Sequence, residues 1–520
     1  MNRFATRLAF AATMAATGLA LDPSAHAVHL DPGGQGQVLL YPYYTVNSFY
    51  PLNRQQTLLS ITNTSFDAQV VQMTFREALN GRAALQFKIW LGRKDVWTGT
   101  VFALADDGIA SDGAGVLTRD PTCTTPMFSS GSLTSGGARY FPLGNQNYSG
   151  SMSDGGPTDL GRARHGWVEV ISLANVLGAP AAAITFYSNG MPGSCAAVQN
   201  IALDPTNSAR PSGGLIGTVS MIQVALGTIL STRAEALSGF TGISLYSNDP
   251  MQPAPNLASV NEGTPGGPVS AAVLDDQGRS QILTYGVPGS GSRPIDAVSA
   301  ALMATRVKNE YQSDPVLGGL TDWVVTLPTK PFYTDPALIG ASSAAMPPFD
   351  EAFQAPGTSR QCAPYHLFDN NQRTFPTIAT QCSFNPFYFF GQPFVPIVGL
   401  FQAANVIPFL EVSAPPSSTG VVAATSPRGQ ILNLNLRWHV FPGVGPAGWM
   451  DMNLAPTNFN HRLPASAEGK VLSGLPTIGF SASNIVNNNV SNGVLANYAS
   501  AVRHVTTVAC TKASNQSPCD

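Results

Sequence analysis

Residues 69–91 read QVVQMTFREALNGRAALQFKIWL, and this stretch decides the fold. Val71, Met73 and Phe75 take every second position before Asn80-Gly81, and Leu85, Phe87, Ile89 and Leu91 do so after it. Successive side chains of a strand point to opposite faces, so each run can bury one face and wet the other. Asn-Gly tolerates the positive backbone angles of a tight hairpin turn. The stretch therefore predicts an antiparallel hairpin with one apolar face.

Outward from the hairpin, residues 37–41 and 57–62 read as two more short strands, the second closed by Asn63-Thr64-Ser65, and Trp97 belongs in the same core or at its edge. Short strands at this spacing predict an immunoglobulin-like β-sandwich over residues 28–105. Residues 106–345 read as a β-rich region with a loop insertion up to about Arg164, then strand character at 167–171, 181–187, 218–230 and 239–246. One amphipathic helix is expected over 294–312, because Pro294 suits a first helical position and Val298, Ala301, Leu302 and Thr305 form a stripe. Residues 346–400 form a Pro- and aromatic-rich disulfide loop. Residues 401–520 form a C-terminal β region packed with 106–345, with strands at 409–413, 431–440 and 448–454. The expected class is mainly β: antiparallel β-sandwich domains with one amphipathic helix and long loops.

Composition agrees. Charged residues make up 11% of the chain, beside 50 glycines and 41 prolines, a balance that suits strands and turns rather than long helices with wet charged faces. A formal charge of −3 offers no basic field for nucleic acid.

The chain opens with Arg3 and Arg7, an uncharged, mostly apolar run over 8–21, and then Ser24-Ala25-His26-Ala27. This is the pattern of a secretory signal peptide over residues 1–27, cut before Val28. The run is too short to cross a bilayer core of about 30 Å, so no membrane span is expected in the mature chain. The expected location is the periplasm, cell surface or extracellular space. Six cysteines suit that oxidising setting. Locality suggests Cys123 with Cys195, Cys362 with Cys382 and Cys510 with Cys519, although six cysteines allow fifteen pairings.

Several stretches carry a resemblance: 36–45 (GQVLLYPYYT), 190–195 (GMPGSC), 211–215 (PSGGL), Asn309-Glu310-Tyr311, 321–330 (TDWVVTLPTK) and 493–498 (GVLANY). With these pieces spread over the mature length, the chain resembles a family of exported, functionally uncharacterised β-rich proteins of Gram-negative bacteria. The resemblance implies export and a β-rich fold, and no activity.

No Gly-x-Ser-x-Gly, H-x-H or H-E-x-x-H pattern is present, and no C-x-x-C; Gly289-Ser290-Gly291-Ser292 reads as a loop and the glycines at 213–217 as a turn. Glu169, between Trp167 and Ile171 on one strand face, is a candidate raised-pKa acid. Asp322 beside Trp323 and Asp451 near Trp449 invite the same reading, and the plain alternative for all three is a hydrogen-bonded strand carboxylate. Asp106, Asp107 and Asp112 share a Gly-containing loop, where hard oxygen ligands suit calcium, though the spacing departs from an EF-hand. Aromatic residues crowd 41–50 and 384–394. Tyr388, Phe390 and Phe394, if exposed, would contact a glycan or other surface proteins. The expected role is that of a secreted or surface-associated, non-catalytic structural or binding protein; the alternative is an extracellular hydrolase acting on polysaccharide.

Overall fold

The computed structural model describes residues 27–46, 55–372 except 225, 313, 315 and 341–343, then 374–375, 397–409, 421, 445–487, 491, 494 and 496–520. The 69–91 hairpin forms as expected. Ala68–Glu77 pairs antiparallel with Ala83–Leu91, with Val71 opposite Ile89 and Met73 opposite Phe87. Gly81 takes φ +71° at the turn, where a Cβ would stand 2.6 Å from Cγ of Pro331.

This hairpin belongs to an eight-stranded sheet. Its main path runs His29–Leu30, Glu235–Ser238, Val38–Thr45, His165–Val176, Ala68–Glu77, Ala83–Leu91 and Cys123–Thr125, and Ser208–Ala209 pairs with the fourth of these. A seven-stranded sheet faces it, ordered Thr228–Arg233, Leu215–Gln223, Gln55–Asn63, Val96–Ala103, Ala114–Leu117, Arg139–Pro142 and Ser132–Leu133. Leu39, Tyr41, Met73, Phe75, Phe87 and Val170 from the first sheet meet Leu59, Ile61, Trp97, Val101 and Val219 from the second in one core. The expected boundary at residue 105 therefore falls inside this sandwich, because strands as late as Glu235–Ser238 are needed to complete its sheets.

The eight-stranded sheet is covered on its other face too. Leu40, Tyr43, Trp167, Ile171 and Leu173 share a second core with Val298, Trp323, Tyr333 and Ile407. Every residue of Val38–Thr45 and His165–Val176 is consequently buried; Val38–Thr45 accordingly reads as a nearly continuous apolar run, whereas His165–Val176 buries Glu169 and Ser172 against Arg76 and Gln69.

The expected helix is shorter than its stripe. Ile295–Ala301 is helical and wholly buried rather than amphipathic, whereas Arg306–Gln312 is a strand. Val307 and Tyr311 are buried there while Glu310 is exposed, a two-residue rhythm that strand pairing exploits and that the helical stripe obscured. The 181–187 segment is likewise not a strand: Gly178–Ala183 makes a short helix. The 218–230 run divides into two strands of a hairpin. Asp275 to Gly278 turns the hairpin of Val269–Leu274 with Ser280–Tyr285.

A buried ionic chain ties these layers together. The Arg162 guanidinium pairs with Glu77 at 2.9 Å and Asp154 at 2.7 Å, and all three side chains are inaccessible. Arg82 pairs with Asp335 at 2.7 Å. Burial alone would depress the Arg162 guanidinium, but Glu77 and Asp154 together outweigh it.

Candidate functional site

Two further antiparallel sheets build the C-terminal half. One is ordered Thr374–Phe375, Gln361–Asp369, Ala447–Asn453, Arg306–Gln312, Val505–Thr507; the other Ala404–Phe409, Gly319–Thr326, Ile478–Ile485, Tyr498–Arg503. They meet at stacked rings: Tyr311 lies parallel to Phe409 with centroids 5.1 Å apart, and Trp323 packs on Phe409 at 5.7 Å. Trp323 Nε1 and Ser481 Oγ both donate to the Glu310 carbonyl, and Thr321 Oγ1 donates to the Gln312 carbonyl. Side chains of one sheet thus satisfy the free backbone edge of the other, as buried polar groups require.

Beyond those rings the sheets part and leave a groove of about 580 Å³, within the range of ordinary ligand sites. Asn309, Tyr311, Asp369 and Gly448 form one wall, and Ser481, Ser483, Ser500, Tyr498 and Val502 the other. Two of its aromatic rings are open to solvent: Trp449 is 39% exposed and Tyr498 63%. Trp449 is no loose ring, because Phe368 stacks on it at 4.0 Å with only 10° between planes. Gly448 is required where the wall narrows, since a Cβ would approach the Phe368 carbonyl oxygen to 2.0 Å.

Among the described residues, two carboxylates line the groove, Glu310 and Asp369, and no Lys, Arg or His does. Asp369 is committed: its oxygens accept from the backbone N–H groups of Asn371 and Gly445 at 2.9 and 3.1 Å. The Glu310 side chain is exposed and has no ion-pair or hydrogen-bond partner among the described residues. Beneath the groove, His504 Nε2 lies 2.9 Å from the Val324 carbonyl and Nδ1 lies 3.1 Å from the Asn309 amide. Burial pushes this imidazole down to about 4, against the opposing Val324 hydrogen bond.

The sequence candidates fare differently. Asn309-Glu310-Tyr311 and Tyr498 converge on the groove, and Trp323 stands behind it. Glu169 is buried and paired with Arg76 at 2.9 Å; burial raises its pKa and Arg76 partly offsets this. It lies in the core, away from the groove. Asp451 is held by Arg306 at 2.7 Å, and Asp322 is fully buried. In the loop proposed for calcium, Asp107 accepts from the Ser135 backbone and hydroxyl, and no group of three His, Cys, Asp or Glu side chains placed to hold a metal ion, at Asp106 and Asp112 or elsewhere, occurs among the described residues. Tyr41, Tyr43 and Tyr44 are core. Cys123–Cys195 and Cys510–Cys519 are disulfides, and Cys362 is oxidised as well. Cys382, Tyr388, Phe390 and Phe394 lie outside the described residues, as do the leader over 1–26 and the 431–440 strand.

Sequence reasoning missed the groove serines and the pairing of Trp449 with Phe368. A signal for Trp449 existed: it alternates with Met450 and Met452, which marks it as outward-facing. Compared with known proteins, the chain matches no protein-family profile, no curated protein and no solved structure.

Proposed function

We propose that this is an exported, non-catalytic binding protein, akin to the Gram-negative family that its sequence resembles, and that it holds a polysaccharide in the groove between the C-terminal sheets. One observation carries the reading: solvent-open Trp449 and Tyr498 bound a groove lined also by hydroxyl, amide, carboxylate and aliphatic side chains. Sugar rings present an apolar C–H face to aromatic rings and hydroxyls to polar side chains, so this mixture suits them. Disulfides, and the lack of any helix among the described residues long and apolar enough to cross a membrane, are compatible with export.

Binding is favoured over hydrolysis because cleavage of a glycosidic bond needs two working carboxylates. Asp369 accepts from two backbone N–H groups, and Glu310 is the groove's one carboxylate without a partner among the described residues. Depletion from solution by insoluble polysaccharides tests the reading. The Trp449→Ala, Tyr498→Ala double variant, compared at matched folded fraction because Trp449→Ala also removes the stack on Phe368, should lose about 1 to 3 kcal/mol of binding per ring. A variant that is depleted as well as the parent overturns the assignment of the groove.

A further inference from the structure

The charge lining the groove narrows its ligand. Its one carboxylate without a partner among the described residues is Glu310, which stands directly across the strand pair from Trp449. Neighbouring strands put such side chains about 5 Å apart, so a ring stacked on Trp449 presents its edge substituents within reach of the Glu310 carboxylate. Among the described residues, no cation lines the groove to counter it. Described basic side chains on the flanking strands have acidic partners: Arg306 and Lys308 approach Asp451 at 2.7 and 3.9 Å, and Arg503 pairs with Glu235. On the opposite wall, the face of the exposed Tyr498 ring offers a second attraction for positive charge.

We propose that the groove selects glycans carrying free amino groups, with Glu310 as the specificity-determining residue. This rests on the glycan-binding reading and adds the sign of the ligand. A uronate or sulfated chain brings anions to an acidic groove, and like charges brought together cost affinity. An amino sugar places an ammonium beside Glu310 while its ring face remains free to stack.

Equilibrium dialysis against end-labelled hexamers of glucosamine, N-acetylglucosamine and galacturonate, below neutral pH and at physiological salt, separates the cases. The wild type should bind the glucosamine hexamer about five- to tenfold tighter than the acetylated one and reject the galacturonate. Glu310→Gln should bring the glucosamine hexamer down to the affinity of the acetylated one. Trp449→Ala should lose the glucosamine hexamer; undiminished binding would reduce the effect to bulk attraction between an acidic protein and a polycation, and overturn the proposal. Equal binding of the amino and acetylated hexamers, or a preference that survives Glu310→Gln, overturns the proposal and leaves glycan binding standing. Failure to bind any hexamer overturns both.

Discussion

Glu77 shows how one side chain can organise a turn and a layer junction together. Its two oxygens accept from the backbone N–H groups of Leu79, Asn80 and Arg82 and from both ends of the Arg162 fork. An acidic residue two positions beyond a strand-like run carries no visible sign of this role, because its partner is 85 positions away in sequence. Removing one member of a fully buried ion pair strands the other charge, which costs about 3 to 5 kcal/mol. Glu77→Gln keeps the shape but replaces one acceptor oxygen with an NH2 and discharges the site, leaving Arg162 with Asp154 as its carboxylate partner. Urea unfolding of this variant should show a loss of about 3 kcal/mol, and a loss below about 1 kcal/mol would mean that the network contributes little.

At the scale of elements, local signals were legible and non-local ones were not. The 69–91 hairpin could be read because its turn chemistry and both alternating faces lie within one short window. The 294–312 segment misled, because the helical spacing of Val298, Leu302 and Thr305 runs on past the helix end at Ala301, where Met303–Ala304 pairs with Leu475–Pro476 and Arg306–Gln312 then pairs with Ala447–Asn453. His504 links three elements, touching Val324 and Asn309 from its place between Tyr498–Arg503 and Val505–Thr507. Its imidazole and that of His165 are both lowered by burial from the usual 6.5 to about 4. The unfolded chain therefore binds more protons than the fold between those values, and stability rises with pH there. What these two groups contribute is complete above about 6.5 and is lost as pH falls toward about 4. The thermal midpoint should drop across that window, and His504→Asn should flatten the drop; a midpoint that is level from neutrality to about pH 4.5 would contradict the assignment.

The whole molecule is a central sheet buried on both faces, with a second sheet on one side and the C-terminal sheets and a short helix on the other. Its class followed from composition and alternation, since a chain poor in charge and rich in Gly and Pro has little else to build. The groove was not legible. It draws on the segments around 309–312, 369–370, 447–449, 481–485 and 498–502, and only long-range strand pairing brings them together. The central claim is that this opening between the C-terminal sheets is where the protein meets its ligand. Titration calorimetry with amino and acetylated glycan hexamers tests it most directly, comparing the parent with the Trp449→Ala, Tyr498→Ala variant at matched folded fraction. The account predicts a saturable isotherm for the parent and at least about tenfold weaker binding for the variant. Superimposable isotherms for the two proteins, or no heat from the parent with either hexamer, would contradict it.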